Sequence, residues 1–408
     1  DFTLGDFWGV DKYNPKLTDG KGTSILTVNS EKGTEMLNKI RQKLLLLEEV
    51  DINHILTHGQ PFARPFRNNP KRTCFLRMLR DCSFEKSVEC CEQNKFDFAL
   101  LGMNADSYGE ILGYYALYRT IASRNYSVLM VKQPQEMASK VTPLKYRLTT
   151  FGNRHYPLVS THERLGRLSA LQETCQGYIT DRIGVYGKYL GESKFFVSTA
   201  KALKGLDKEF LLDKHYYEEL CAYAACEQQG KYIAYDCRDI QSGMEDKIYQ
   251  YAGKHDLSVV QLAEDQMAED WLQYIRQAEY VISNQRDVIN FAVIFEKRLL
   301  IPEDGLKEAV RRHISDIRME ERILGGAEDI QKKLSVIESL GYANVHEIID
   351  RKCASAQEAF DIALKTVWRN IRRRGNTIPD RVKRGSIRVL KKVLPPSVKR
   401  GVKKLIRK

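Results

Sequence analysis

Residues 231–302 alternate between strand-like and helix-like patterns, and this alternation constrains the fold more than any other feature of the chain. The strand-like runs are residues 231–236, 257–262, 280–282 and 299–301. Between them apolar residues recur at helical spacing, as at Ile248, Tyr251 and Ala252. Strands that alternate with helices of this length predict a parallel sheet covered by helices.

The loop after the third of these strands is the first candidate site. Parallel α/β sheets bind ligands at the carboxyl ends of their strands, beside helix N-termini. This loop occupies that position, because a helix with an apolar face follows it directly. Its candidate site residues are Ser283, Asn284, Gln285, Arg286 and Asp287.

Residues 278–297, AEYVISNQRDVINFAVIFEK, resemble the signature of polysaccharide pyruvyl transferases, which runs roughly A-D/E-Y-V-I-T-D-S-F-H-G-T-x-F-A-I-I-F-x-K. The apolar letters match without a gap, whereas most of the polar letters differ. The resemblance implies transfer of pyruvate from phosphoenolpyruvate to two sugar hydroxyls as a ketal. It places Asp287 at the family histidine, with Arg286 beside it as the second catalytic candidate. Ser283, Asn284 and Gln285 would then contact the donor.

A second segment, residues 96–117, carries the same resemblance. A buried strand at 96–102 leads into a loop and helix like the family run N-Y-G-A-V-L-Q-A-Y-A-L. Gly109 matches the family glycine, and Ser107 stands at the asparagine. Because backbone N–H groups at a helix N-terminus bind anions, Ser107 and Gly109 are predicted to contact the donor. The alternative is that this glycine only forms a turn.

The resemblance implies an α/β fold with two Rossmann-like halves of the glycosyltransferase-B type, each built on a parallel sheet. We predict the first half at residues 93–215 and the second at 216–368. A small α+β module precedes them at residues 1–92, and a basic amphipathic helical tail follows at 369–408.

The module at residues 1–92 resembles the C-terminal domain of the coenzyme F-420 hydrogenase/dehydrogenase beta-subunit family. The matching runs are DFTLGDFWG, DGKGTS and NSEKG. Proteins of that family carry an upstream iron–sulfur and flavin domain. The chain begins without Met, so we expect it to be a fragment, with flavin and iron–sulfur cofactors only if that upstream domain exists. The alternative is that these glycines only form turns.

Nine cysteines without a CxxC pair predict reduced thiols, with no metal site and no cofactor in this chain. Phosphoenolpyruvate would be a donor substrate.

The positive charge is concentrated at the C-terminus. The chain carries +12, and residues 369–408 hold 16 Lys and Arg against one acid, Asp380, which leaves −3 for the first 368 residues. Two basic amphipathic runs, separated by Pro395 and Pro396, are typical of segments that lie on anionic membranes. No aromatic residue follows Trp368 to stack on bases, which favours a membrane over nucleic acid. A solubilising disordered tail is the third alternative.

Three functions remain open from the sequence. The first is a divergent pyruvyl transferase of bacterial exopolysaccharide biosynthesis, acting on a sugar or lipid-linked oligosaccharide acceptor. The second is a non-catalytic relative that serves as a scaffold for polysaccharide assembly at the membrane surface. The third is a fragment of an iron–sulfur and flavin oxidoreductase. In the first two, we expect the protein in the cytoplasm, at the inner face of the membrane.

Overall fold

The computed structural model describes most of the chain up to Arg374. The described residues are 1–7, 9–18, 20, 22–53, 71–103, 106–137, 144–160, 162, 164–226, 230–240, 242–263, 266–325 and 330–374. The chain forms two compact units, Asp1–Arg72 and Thr73–Lys408. Of the predicted tail, residues 375–408 lie outside the described residues.

The first unit is a small α+β module. Strands β1 (Phe2–Asp6) and β2 (Ser24–Val28) pair antiparallel, and the helices are α1 (Val10–Tyr13) and α2 (Glu31–Ile40), with 3-10 turns at Pro15–Leu17 and Arg41–Lys43. Helix α2 begins at Glu31 because Ser30 caps it, accepting a hydrogen bond from the Gly33 N–H at 3.1 Å. A small core of Phe7, Val10, Leu17 and Ile25 holds the module together.

The second unit begins with two helices and a parallel sheet. Its elements are α3 (Arg72–Asp81), α4 (Phe84–Gln93), β3 (Phe96–Met103), α5 (Tyr108–Ala122), β4 (Val128–Lys132), α6 (Leu144–His155), β5 (Val159–Ser160), α7 (Leu171–Thr174), β6 (Cys175–Ile179), α8 (Ile183–Leu190), β7 (Phe196–Val197), α9 (Thr199–Leu203) and α10 (Lys214–Cys221). Short 3-10 helices lie at Gln135–Met137, Leu165–Ala170, Ser193–Phe195 and Lys208–Leu211. The strand order is β5-β4-β3-β6-β7, all parallel.

The second half repeats this plan and confirms the predicted alternation. Its elements are β8 (Tyr232–Asp236), α11 (Ser242–Lys254), β9 (Ser258–Gln261), α12 (Ala268–Gln277), β10 (Tyr280–Ser283), α13 (Arg286–Ile294), β11 (Arg298–Pro302), α14 (Glu308–Asp316), β12 (Ile323–Leu324), α15 (Ile330–Ser339) and α16 (Ala343–Arg374), with a 3-10 turn at Glu320–Arg322. The parallel order is β12-β11-β10-β8-β9. Two parallel α/β halves confirm the predicted fold class.

One domain boundary differs from that predicted. The first compact unit ends at Arg72 and not near residue 92, because α3 and α4 bury Met78 and Cys90 in the core beneath β3.

The C-terminal helix α16 returns from the second half to the first. It packs on α9, β6 and β7, and its buried face includes Ala356, Phe360 and Leu364. The helix therefore fastens the two halves together and extends six residues past the predicted boundary at 368. No described helix is long and apolar enough to cross a membrane.

Polar and aromatic contacts also join the halves. The Tyr108 ring on α5 stacks on Trp271 of α12 at 4.9 Å, and its hydroxyl donates to the backbone oxygen of Gln266 at 2.6 Å. His155 Nε2 lies 2.9 Å from Glu269 Oε1, and both side chains are buried. The contact between His155 and Glu269 therefore joins α6 to α12.

Because of the contact between His155 and Glu269, we expect the protein to lose stability as the pH falls. Burial lowers the pKa of His155, an effect that Glu269 partly offsets. Burial raises the pKa of Glu269, but its hydrogen bonds to His155 and to its own backbone bring it below the usual value. Both folded-state pKa values lie below those of the unfolded chain. The stability they confer is present above the unfolded pKa values, near 6.5 and 4.5, and is lost as pH falls.

The measurement is thermal unfolding from pH 7 down to pH 4. We expect the His155→Gln variant to lose less stability over this range than the unmodified protein, because its side chain takes up no proton. The exposed His255→Gln variant is the control. Equal slopes for all three proteins would contradict the prediction.

Candidate functional site

A cavity of about 440 Å³ lies between the two halves. The helices that follow β3, β7 and β10 begin at its walls, as a site at the carboxyl edges of parallel sheets requires. Its charged lining residues are the acids Glu110, Asp181, Asp207, Glu209 and Asp287 and the cations Lys208 and Arg286. The lining is therefore acidic overall.

Asp287 contacts the N-terminus of α5 across this cavity. The backbone N–H of Gly109 donates to Asp287 Oδ2 at 3.0 Å, and Ser107 accepts a hydrogen bond from the Glu110 N–H at 3.1 Å. A Cβ atom at position 109 would overlap the Asp287 carboxyl group, so only glycine permits this approach. The protein's own carboxylate thus occupies the position where an anionic donor was predicted to bind.

Arg286 is engaged in an ion pair within the cavity wall. Its Nη2 and Nε donate to the two carboxylate oxygens of Asp207 at 2.7 and 2.9 Å. Asn290 Nδ2 also donates to Asp207 at 2.9 Å, and its amide oxygen lies 2.8 Å from Nε2 of His313. Asp207 therefore neutralises Arg286, which the sequence predicted as a catalytic residue.

His313 contacts both Asn290 and Asp207, because its second ring nitrogen, Nδ1, lies 3.6 Å from Asp207 Oδ2. Because the Asn290 amide nitrogen faces Asp207, its oxygen faces His313, and Nε2 is the donor in the neutral ring. Burial lowers the pKa of His313, although Asp207 acts in the opposite direction. The histidine is thus neutral at pH 7 and supports Asn290.

Three further predicted donor residues lie behind the cavity wall. Ser283 Oγ donates to the Asp236 backbone oxygen at 2.5 Å. The Asn284 side chain accepts from the Arg238 N–H at 3.0 Å and donates to the Asp304 backbone oxygen at 3.1 Å. Gln285 Nε2 donates to Asn284. These side chains connect the loops after β8, β10 and β11. Of the predicted site residues, only Ser107, Gly109, Arg286 and Asp287 line the cavity.

Asp181 plays a similar internal role at a third helix. Its carboxylate accepts hydrogen bonds from the Thr199 hydroxyl and, at 2.5 Å, from the Ala200 N–H, at the start of α9. Acidic side chains of the protein therefore occupy two of the helix N-termini at this cavity, a charge arrangement that helix dipoles favour.

The predicted site residues did not include Asp207 and Glu209, which lie in the connection between the halves. Burial, reinforced by Asp207 and Asp287, raises the pKa of Glu209 to about 8. Its carboxyl group is therefore mostly protonated at neutral pH. Three consecutive charged residues at 207–209 could have drawn attention to this segment. Their position in the sequence, however, gives no reason to expect them beside Asp287.

Replacing Glu209 with glutamine is expected to stabilise the protein at alkaline pH. The raised folded-state pKa means that stability is lost as pH rises from the unfolded value, near 4.5, through about 8. Glutamine removes that titration, so the gain should be larger at pH 9 than at pH 5. Denaturant unfolding at both pH values measures it, with the half-exposed Glu110→Gln as control. An equal effect at the two pH values would contradict the prediction.

In the part of the chain that the structure describes, no three His, Cys, Asp or Glu side chains converge to hold a metal ion. All nine cysteines are free thiols.

Comparisons with known proteins add little to this geometry. No family model and no curated protein matches the chain. A solved structure of the wall teichoic acid polymerase TagF, from a CDPG soak, matches at 9% identity and a TM-score of 0.29, covering 75% of this chain and 98% of that one.

Proposed function

We propose that this protein binds a saccharide in bacterial polysaccharide assembly and does not use phosphoenolpyruvate as a pyruvyl donor. The observation that carries the proposal is the hydrogen bond from the Gly109 N–H to the Asp287 carboxylate. It supports a non-catalytic relative of the pyruvyl transferases, because the backbone group that would receive the donor is already bonded.

The charge of the cavity supports the same proposal. Phosphoenolpyruvate carries a phosphate and a carboxylate, and like charges at close range in a partly buried site repel strongly. A sugar is neutral and offers many hydroxyl donors, which carboxylates accept well. Glu110 lies at the cavity with a half-exposed side chain, and its one ion pair among the described residues, with Lys208, is long at 3.9 Å, so its carboxylate can accept hydrogen bonds from a saccharide.

An array of oligosaccharides from bacterial exopolysaccharides tests saccharide binding. We expect binding of at least one glycan, and at least tenfold weaker binding by the Glu110→Gln variant. Glu347→Gln on exposed α16 is the matched control and should bind normally. Binding that is equal in both variants, or no binding across the array, would refute the proposal.

Pyruvyl transfer is a second candidate that one observation favours. A carboxyl group that is protonated at neutral pH, as Glu209 is, suits a general acid that protonates the methylene carbon of phosphoenolpyruvate. Phosphate release from phosphoenolpyruvate in the presence of the same glycans tests it. Release that disappears in Glu209→Gln would favour the transferase.

A further inference from the structure

A second cavity lies at the C-terminal end of α16 and shares no lining residue with the cleft. Its volume is about 530 Å³. Leu190 and Phe195 form an apolar floor, and Lys194, Arg373 and Arg374 contribute positive charge to its lining. A site with this lining is amphiphilic.

Two cations flank one aromatic ring in this cavity. Lys194 Nζ lies 5.4 Å and the Arg374 guanidinium carbon 5.2 Å from the centre of the Phe195 ring. Asn370 Nδ2 donates to the Lys194 backbone oxygen at 2.9 Å. This hydrogen bond fixes α16 against the loop that carries Lys194 and Phe195. The cations are thus held at one place by the fold.

The lining of this cavity contains more cations than acids. Lys194 pairs with Glu192 at 2.6 Å, the one acid in the lining. Arg373 is exposed and makes no hydrogen bond or ion pair with any residue that the structure describes. The lining carries three cations and one carboxylate, and Arg373 is the cation available to an incoming anion.

We propose that this cavity binds the phosphate group of an anionic membrane lipid. Guanidinium groups match phosphate geometry through paired hydrogen bonds, and the apolar floor suits the glycerol and first acyl carbons. The chain continues directly from Arg374 into residues 375–408, which hold twelve Lys and Arg with one acid among Val, Leu and Ile. That sequence favours a lipid surface over a soluble phosphate as the source. The inference is independent of what the cleft binds.

Calorimetric titration of the full chain tests the site in low salt. The probes are dihexanoylphosphatidylglycerol below its micelle concentration, dihexanoylphosphatidylcholine and inorganic phosphate. The test variant is Arg373→Glu with Arg374→Glu. The matched control is Arg351→Glu with Lys365→Glu, which reverses two exposed charges elsewhere on α16. Circular dichroism confirms that both variants fold.

We expect saturable binding of the phosphatidylglycerol probe, at least tenfold weaker in the test variant and unchanged in the control. Phosphatidylcholine and inorganic phosphate should bind at least tenfold more weakly than phosphatidylglycerol. Vesicles of phosphatidylglycerol should retain more of the control than of the test variant. Equal losses in both variants, inorganic phosphate as strong as the lipid, or a polynucleotide that binds through these arginines while the lipid does not, would each overturn the proposal.

Discussion

Replacing Glu269 with alanine is expected to lower the free energy of unfolding by about 2–4 kcal/mol, because it leaves a cavity and an unpaired buried imidazole at the joint between the halves. The Glu269 side chain is fully buried and accepts from Arg154 at 3.2 Å while it contacts His155. Alanine would leave the buried imidazole without its partner and would open a cavity beside it.

Denaturant unfolding at pH 7 measures this loss. Glu308→Ala is the matched control, since Glu308 forms an exposed i,i+4 pair with Arg312 that contributes well under 1 kcal/mol. Similar losses in the two variants would mean that the joint does not hold the halves together.

Replacing Gly109 with alanine is expected to cost about 1–3 kcal/mol, because the new Cβ overlaps the Asp287 carboxyl group and the packing must shift. This cost depends on the side chain at position 287, because that side chain occupies the space that the new Cβ atom needs. In an Asp287→Ala background the same substitution meets a methyl group and should cost much less.

A double-mutant cycle measures this coupling directly. Unfolding of Gly109→Ala, Asp287→Ala and the combined variant should give a coupling energy of about 1 kcal/mol or more. Gly184→Ala is the control, since a Cβ atom there meets nothing within 4 Å. Additive effects at positions 109 and 287 would mean that the carboxylate does not sit against the helix N-terminus.

Much of the fold follows from local sequence. The alternation at 231–302 predicted β8 to β11 and the helices between them, because buried parallel strands and amphipathic helices have distinct periodicities. The path of α16 could not be predicted in this way. Its apolar face indicates that the helix is buried on one side. The sequence does not indicate that this face packs on the first half.

The sequence indicated where the candidate site would lie in the fold, but not which partners its side chains would bind. Arg286 and Asp287, in the loop that the rule for parallel sheets indicated, line the cavity between the halves. Their partners could not be predicted, because Asp287 bonds a residue 178 positions away and Arg286 one 79 positions away. Only the folded chain shows that both candidate side chains are already paired.

Two assignments made from the sequence remain predictions. The F-420 hydrogenase-like assignment of residues 1–92 and the oxidoreductase alternative stay predictions. A membrane partner for residues 369–408 likewise stays a prediction.

Calorimetric titration of the full chain with phosphoenolpyruvate tests the proposed function most directly. If Asp287 occupies the α5 N-terminus and Asp207 holds Arg286, the unmodified protein should give no saturable heat at millimolar phosphoenolpyruvate. An Asp287→Asn variant, which removes the charge and keeps the shape, should bind more tightly than the unmodified protein. Saturable binding by the unmodified protein that disappears in Arg286→Ala would contradict the proposal and establish the loop as a donor site.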